Sequence, residues 1–440
     1  SVLRQLIAHI GDDAFVAGVG EYLRSHAFGN GELAEFIVAI EGAAGRSLTA
    51  WSAAWLQTAG ADRIGLEGDA LTRVAPEAHP ADRAHTLDVA AFVGGREVAR
   101  VELVVDGERT PVPGLADVPA GALIVPNASD LTWAEVALDA ATIDGLPGNL
   151  ADVPDASARS VLWVSLLGSV ARGEVDPRTV LSVFVAAWPR EDSAAVLSRV
   201  SLLMTNQVLP LFLPPGEQEG ARARIADAAD ALLERSAAVA GVSGDALAVL
   251  AARVWARTGV DEDRLRRWAA GDGIPEVLVG DDDFRWSVLR RLATFGVLGD
   301  DEIAAAEAAD RSLAGSLAAL GVRAVRPTAQ AKEWAWGRLR DDADLSNYAA
   351  LAIAGGFWTA PDAALVRPYV AQVGDLLVGL SGRMGDDAVS RVVSAMHPTS
   401  LVEDGTLEAS AAMLARADLT PGVRRALVDA NHELREALAS

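Results

Sequence analysis

The chain has 440 residues, no cysteine, 51% apolar residues and a formal net charge of −23. That length supports two or three domains around a large core. The charge argues against nucleic acid and anionic membrane surfaces as partners, and the missing thiols exclude disulfides, thiol nucleophiles and thiolate metal sites. No apolar run reaches the roughly 18–20 residues of a bilayer span. The longest, around 200–215, is broken by Ser201, Asn206, Gln207 and Pro210 and reads as a buried helix followed by a loop. Zero cysteine fits a reducing cytosol, so a cytoplasmic location is expected. The cations are almost all arginine, with a single Lys332, and the wealth of Ala, Val and Gly suggests a GC-rich bacterial genome. Ser1-Val-Leu-Arg-Gln resembles no signal peptide, and the chain is expected to start inside a domain.

Residues 1–60 predict four amphipathic helices. Val2, Leu3, Leu6, Ile7 and Ile10 form one stripe; Phe15, Val19, Tyr22 and Leu23 form a second after Asp12-Asp13, an acidic start suited to a helix N-terminus. Leu33, Phe36, Ile37 and Ile40 form a third. The fourth helix carries Trp51-Ser-Ala-Ala-Trp55-Leu-Gln-Thr-Ala-Gly60. Leu48, Trp51, Trp55 and Ala59 fall at i, i+3, i+7 and i+11, which puts both indoles on one face. Ser47 is the expected N-cap and Gly60 the expected C′ residue.

Near residue 61 the period changes from 3.6 to 2. Segments 86–93 and 96–105 flank Gly94-Gly95, a hairpin signal. Segments 122–125 and 132–138 read as further strands, and Pro111, Pro113, Pro119 and Pro126 sit where strands end. A small antiparallel β-sandwich over 61–145 fits. Gly145, Pro147, Gly148 and Pro154 punctuate 139–155 as a linker. From there to the end the pattern is helical, in segments of about 8–20 residues with short breaks, which suggests an irregular α-superhelical array over 146–440. The fold class is therefore mostly α with a small β domain.

No catalytic constellation emerges from the residues. The six histidines stand at 9, 26, 79, 85, 397 and 432, and none forms an i, i+4 pair that aims two imidazoles at one ion. His432-Glu433 begins like His-Glu-x-x-His, but the fifth residue is Glu436. His79 and His85 flank a loop beside Asp82 and read as two exposed side chains. Gly379-Leu-Ser381-Gly-Arg383 misses the last glycine of a nucleophile elbow and follows a helix. Gly18-Val-Gly20 lacks the strand and third glycine of a dinucleotide site. Asp281-Asp282-Asp283 lacks the ligand alternation of a calcium loop and reads as a helix cap. Trp255, Trp268, Trp286, Trp334, Trp336 and Phe357-Trp358 read as helix packing, although Trp334 and Trp336, at i and i+2, cannot both face one core. Arg264/Arg266/Arg267, Arg290/Arg291 and Arg338/Arg340 read as surface ion pairs, with reception of a peptide carboxylate as the other reading.

Several stretches resemble M1-family zinc aminopeptidases of the aminopeptidase N group, actinobacterial type. These are Ser1-Val-Leu-Arg-Gln-Leu, Ala27-Phe-Gly-Asn30, Trp51 to Gly60, Leu123-Ile-Val-Pro-Asn127-Ala-Ser-Asp-Leu-Thr-Trp133, Gly356-Phe-Trp358 and the final Arg424 to Leu438 helix. Trp133 stands where the family has Tyr. The resemblance implies that 1–60 are the last helices of a thermolysin-like catalytic domain, 61–145 a β-sandwich, and 146–440 a HEAT/ARM-like superhelical domain. It also implies an upstream catalytic domain with Gly-x-Met-Glu-Asn, His-Glu-x-x-His and a zinc ion; the transition-state Tyr would lie a few residues before Ser1. This chain has none of those motifs. No catalytic or metal-ligating residue is assigned to it, its substrate contacts are unassigned, and it is expected to be inactive alone, shaping and gating a chamber for peptide substrates. A free-standing α-solenoid interaction module is the alternative.

Overall fold

The computed structural model describes residues 2–359, 361–398 and 400–439. Ser1, the first residue of one stretch likened to the family, lies outside them. The chain forms two compact units, 1–169 and 170–440.

Unit 1 begins with α1 (Val2–Ile10), α2 (Asp12–Ser25), α3 (Leu33–Ala44) and α4 (Thr49–Leu56). The predicted stripes converge: Leu6, Ile37, Ile40, Leu48, Trp51 and Trp55 share one core. The two indoles stack with centroids 6.1 Å apart. The ends of α4 differ from expectation. Its N-cap is Leu48, while the Ser47 hydroxyl accepts from the Thr49 N–H and donates to Glu41. The helix stops at Leu56, and Gly60, at φ 76°, instead turns the chain into the first strand.

Among the described residues seven strands follow: β1 (Asp62–Glu67), β2 (Ala70–Val74), β3 (His85–Val93), β4 (Arg96–Val105), β5 (Arg109–Pro111), β6 (Leu123–Pro126) and β7 (Ala134–Ala137). They form two sheets, ordered β5-β2-β1-β7 and β4-β3-β6. Ile64 and Leu71 of the first share a core with Leu87, Val89 and Val105 of the second. The β3–β4 hairpin turns at Gly94-Gly95, both at positive φ, as the sequence predicts. The expected all-antiparallel pairing does not hold, because β7 runs parallel to β1. The loop after β6 leaves the second sheet and brings β7 alongside β1 in the same direction; a parallel pair requires such a crossover.

The expected linker is also partly helical. α5 (Ala140–Asn149) runs through Gly145, Pro147 and Gly148. The Asp139 carboxylate accepts from the Thr142 N–H at 2.8 Å, and Leu146 is fully buried. Cap and burial outweigh the residue propensities. α6 (Ala156–Ala171) follows.

Unit 2 is helical throughout. α7 (Pro177–Ala187) and α8 (Ala194–Leu203) lead into a π-helical stretch, Met204–Phe212, where a loop is expected. Pro210, which cannot donate to an α ladder, lies inside it. Among the described residues six packed pairs follow: α9 (Pro215–Ser236) with α10 (Val242–Thr258), α11 (Glu262–Ala269) with α12 (Asp282–Thr294), and α13 (Asp300–Ala309) with α14 (Leu313–Val325). Then come α15 (Ala329–Asp341) with α16 (Asn347–Phe357), α17 (Val373–Ser381) with α18 (Asp386–Met396), and α19 (Asp404–Leu414) with α20 (Pro421–Ala439). Residues 363–381 form two 3-10 turns followed by α17, because Pro368 interrupts the ladder. Two composite helices, 194–212 and 363–381, are long and apolar enough to cross a bilayer by length and composition. Both turn apolar residues inward, among them Val196, Val200 and Met204 in the first and Val370, Val373 and Leu377 in the second.

The second helix of each pair packs on its counterparts before and after it, α10 on α12 and so on to α20, more extensively than the first helices pack on one another. α20 also touches the π-helical stretch. α14 and α16 pack closely: a Cβ on Gly356 would stand 2.8 Å from the Gly321 carbonyl oxygen and 3.1 Å from the Val325 nitrogen. Lys332 of α15 is fully buried and fills this junction. Its ammonium donates to the carbonyls of Ala324 (2.8 Å), Gly356 (3.3 Å) and Thr359 (3.0 Å), at and beyond the C-terminal ends of α14 and α16. A cation there satisfies carbonyls that helix termini leave open and meets the negative ends of two helix dipoles.

Two predictions follow from these buried polar groups. Lys332→Met leaves three carbonyls without a donor and lowers unfolding free energy by about 2–4 kcal/mol in urea titrations. His397 is buried against the Ser410 hydroxyl, and burial pushes its pKa down to about 4. The unfolded histidine binds its proton near pH 6.5, so stability falls as pH drops from about 6.5 to about 4 and then levels. His397→Gln removes up to about 3 kcal/mol of that pH dependence relative to the unsubstituted chain.

Candidate functional site

The sequence candidates disperse. His79 and Asp82 are exposed, but His85 is fully buried, not a loop residue: it opens β3 with its ring turned inward. His432 is exposed and pairs with Glu436 on its own helix at 3.2 Å. Ser381 donates to the Leu377 carbonyl within α17. Asp281 caps α12 by accepting from the Phe284 N–H at 2.8 Å, as expected. Trp336 is buried and Trp334 only partly. Most of the arginine clusters are ion-paired: Arg264 with Asp230, Arg266 with Glu262, Arg291 with Glu219, Arg338 with Asp342 and Arg340 with Asp341. Among the described residues, no three His, Asp or Glu side chains lie together as a metal site would need.

What the fold does assemble is a buried ionic hub on Asp62, the first residue of β1. Its carboxylate accepts from Arg73 (2.9 Å), Arg83 and the His85 ring (3.1 Å). Asp62, Arg83 and His85 have almost no exposure. Burial alone would raise the Asp62 pKa, but the bonds from His85, Arg73 and Arg83 outweigh it and hold the carboxyl below its ordinary value. Burial lowers the His85 pKa despite Asp62, so the ring is neutral near pH 7. Its Nδ1 meets the Thr132 hydroxyl at 2.7 Å. Asp62, His85 and Thr132 thus line up as acid, imidazole and hydroxyl, the order of a hydrolytic triad. The chain is sealed from solvent and clamped by two arginines, so no substrate atom reaches Thr132.

The hub explains the tryptophan stretch. Arg83 donates to the carbonyls of Ala54 (3.0 Å) and Ala59 (3.2 Å) and to the Thr58 hydroxyl, which cover the C-terminal end of α4. The Trp55 ring packs edge-on against His85 at 4.9 Å, and the Arg83 guanidinium lies 5.9 Å from the Trp55 ring centre. Helix end, tryptophan and strand are therefore one polar and aromatic assembly.

The stretch from Asn127 to Trp133 closes the other side. Asn127 and Asp130 both take left-handed φ, near 58° and 53°. The Asn127 side chain accepts from the Leu131 and Thr132 N–H groups and donates to the Thr132 carbonyl. That holds Thr132 against His85. Asp130 accepts from Arg4 of α1 at 2.8 Å. Ser129 binds Asp88, which also pairs with Arg100, and Arg100 continues to Glu97 and Asp155. Trp133 is 42% exposed. Sequence reasoning missed Asp62, Arg83 and Arg73, because 11 to 21 residues separate the partners. The available signal was an aspartate opening the strand after the tryptophan stretch.

In unit 2 the large apolar side chains exposed on array helices are unevenly distributed. Leu202 of α8, Val242 of α10, Leu313 of α14, Tyr348 and Leu351 of α16 and Val428 of α20 are exposed. Among the described residues of α9, α11, α13, α15, α17 and α19 there is none. Removing the hub charge tests the first assembly: Asp62→Asn leaves the buried Arg83 and the half-buried Arg73 underpaired and is expected to cost about 3–5 kcal/mol, read as a lowered unfolding midpoint of unit 1.

Comparison with known proteins agrees with these motifs. Residues 123–436 match the profile of the ERAP1-like C-terminal domain. The chain is 30% identical over 459 aligned positions to aminopeptidase N of Streptomyces lividans, covering 100% of this chain and 53% of that protein. It thus spans about half the length of that relative. Its fold resembles aminopeptidase A of Legionella pneumophila, solved in complex with aspartic acid, with a TM-score of 0.66 at 13% identity, over 98% of this chain and 55% of that one. The chain belongs to the ERAP1-like C-terminal domain family, the C-terminal portion of M1-family aminopeptidases.

Proposed function

We propose that the chain is the C-terminal region of a zinc metallo-aminopeptidase that removes N-terminal residues from peptides. Its part is to shape and gate the chamber in which peptides meet a preceding catalytic domain. In this reading 1–60 are the closing helices of that thermolysin-like domain, 61–145 a β-sandwich and 146–440 a HEAT-like superhelix, in a cytoplasmic protein. The zinc ligands belong to the preceding domain. The residues of this chain do not fit the ion, since no cluster of ligands is present among those described, and no chemical step is assigned to them.

The observation that carries the reading is the outward face of the first helices. Val16 and Leu23 of α2 and Leu33 and Val38 of α3 are 52–69% exposed. Between them Phe28 is fully exposed and held at φ 62°, a left-handed conformation that costs a bulky residue about 1–2 kcal/mol. An apolar, locally strained face of this kind marks an interface, and a preceding catalytic domain is its proposed occupant. The exposed apolar side chains of α8, α10, α14, α16 and α20 support a peptide-facing role.

Two measurements test this. The purified chain, offered a panel of aminoacyl-anilides with added zinc, is expected to show no turnover and no stoichiometric metal; turnover that tracks one bound zinc overturns the reading. Phe28→Asp is expected to leave the melting temperature of this chain within about 2 °C, since little buried area is lost. In the parent enzyme it costs about 1–3 kcal/mol. An equal effect in both refutes the docking role.

A further inference from the structure

The loop between α2 and α3 holds the chain's one Asn-Gly pair, Asn30-Gly31. Both residues are exposed and belong to no helix or strand. The loop is tied on either side of them. The Gly29 N–H donates to the His26 carbonyl at 2.9 Å, and the Glu32 N–H donates to the Glu35 carboxylate at 2.8 Å. The His26 ring joins the two helices, meeting the Tyr22 carbonyl at 2.9 Å and the Glu35 carboxylate at 3.1 Å. Among the described residues no hydrogen bond holds the Asn30 side chain or the Gly31 N–H. Packing imposes the glycine. A Cβ at position 31 would stand 2.3 Å from the Tyr22 hydroxyl oxygen, and the Tyr22 ring lies edge-on to Phe36 at 5.4 Å. With no side chain on residue 31, the backbone nitrogen that follows Asn30 is unshielded and turns freely.

The other five asparagines differ on both counts. Ala128, Leu150, Gln207, Tyr348 and His432 follow them. Asn127 and Asn431 are buried, and Asn149 donates to the Gly145 carbonyl. Asn206 lies in the π-helical stretch and Asn347 opens α16, where fixed backbone dihedrals keep the next nitrogen from the side-chain carbonyl.

We propose that Asn30-Gly31 is a self-modification site, which converts to isoaspartate and aspartate in the folded chain with water as the only co-reactant. The Gly31 nitrogen attacks the Asn30 side-chain carbonyl carbon and gives up its proton. The bond from that carbon to the side-chain nitrogen breaks, and ammonia leaves with the proton. Water then opens the succinimide. Cleavage between the Gly31 nitrogen and the Asn30 backbone carbonyl carbon gives isoaspartate; cleavage of the new bond gives aspartate. Isoaspartate routes the backbone through an added methylene, and either product adds a negative charge to the loop that presents Phe28. Conversion therefore weakens docking through Phe28, a consequence that rests on the reading proposed above, as the site itself does not.

Peptide mapping of the full chain, incubated at mildly alkaline pH both folded and in urea, tests the site. Conversion adds about one dalton, and enzymatic methylation reads isoaspartate separately. In the folded chain Asn30 is expected to convert about tenfold faster than any other asparagine. Its rate is expected to stay within about threefold of its rate in urea. Asn30→Ser is expected to abolish the isoaspartate signal. Conversion that is absent at Asn30, shared evenly among the asparagines, or seen at Asn30 only in urea overturns the site. The urea comparison uses no variant, so it decides even where Asn30→Ser fails to fold. In the parent enzyme the same incubation is expected to lower activity in step with isoaspartate, but not in Asn30→Ser. Conversion with activity unchanged, or an equal loss in Asn30→Ser, removes the effect on docking and keeps the site, while Phe28→Asp judges the docking reading separately.

Discussion

A carboxylate without access to water governs the first unit. Moving Asp62 out of solvent costs several kcal/mol and is tolerable only with close, well-aimed partners. Those partners fix everything around it. Arg83 cannot satisfy Asp62 and the end of α4 together unless the helix stops where it does, and His85 cannot reach it unless β3 begins where it does. Thr132 and Asn127 then set the crossing that makes β7 parallel to β1. The helical start and the two sheets are joined by polar geometry as much as by apolar contact, which gives the joint one arrangement in place of many.

The second unit solves a different problem. It stacks helices whose ends would leave carbonyls unpaired in crowded junctions, and it uses cations to close them. Lys332 serves α14 and α16, Arg291 reaches the Gly259 carbonyl after α10, and Arg383 reaches the carbonyls of Leu339 and Asp342 after α15. Around Arg264 the device is aromatic: its guanidinium lies 4.0 Å and 4.6 Å from the Trp255 and Trp268 ring centres while it holds Asp230. The helical array is thus tied by directional contacts laid over apolar packing.

Much of this was legible in the chain. Helix stripes such as Leu6, Ile37, Ile40 and Trp51 report burial through their spacing, and Gly94-Gly95 reports a hairpin through backbone freedom. The hydrophobic periodicity pointed to a mostly helical protein with a small β part, and the ordered motifs pointed to the family. Three kinds of feature were not legible. Short strands β1, β2 and β5 have weak alternation and depend on pairing partners far along the chain. α5 runs against its own Gly and Pro content, because a cap and the burial of Leu146 decide it. The hub is a meeting of residues from separate segments, and His85, read as exposed, is buried only because a strand carries it inward. Local pattern encodes local structure, while charge pairing across the fold leaves no spacing to read.

The place of Lys332 has a consequence for how this molecule can be watched. It is the sole lysine of the chain, so apart from the amino terminus no other side chain offers an aliphatic amine. That amine is fully enclosed where α14 and α16 press backbone to backbone. Reagents that acylate amines therefore meet a silent surface until that junction parts. The chain carries a built-in reporter whose labelling rate measures the breathing of one named helix contact, without any residue having been added to it.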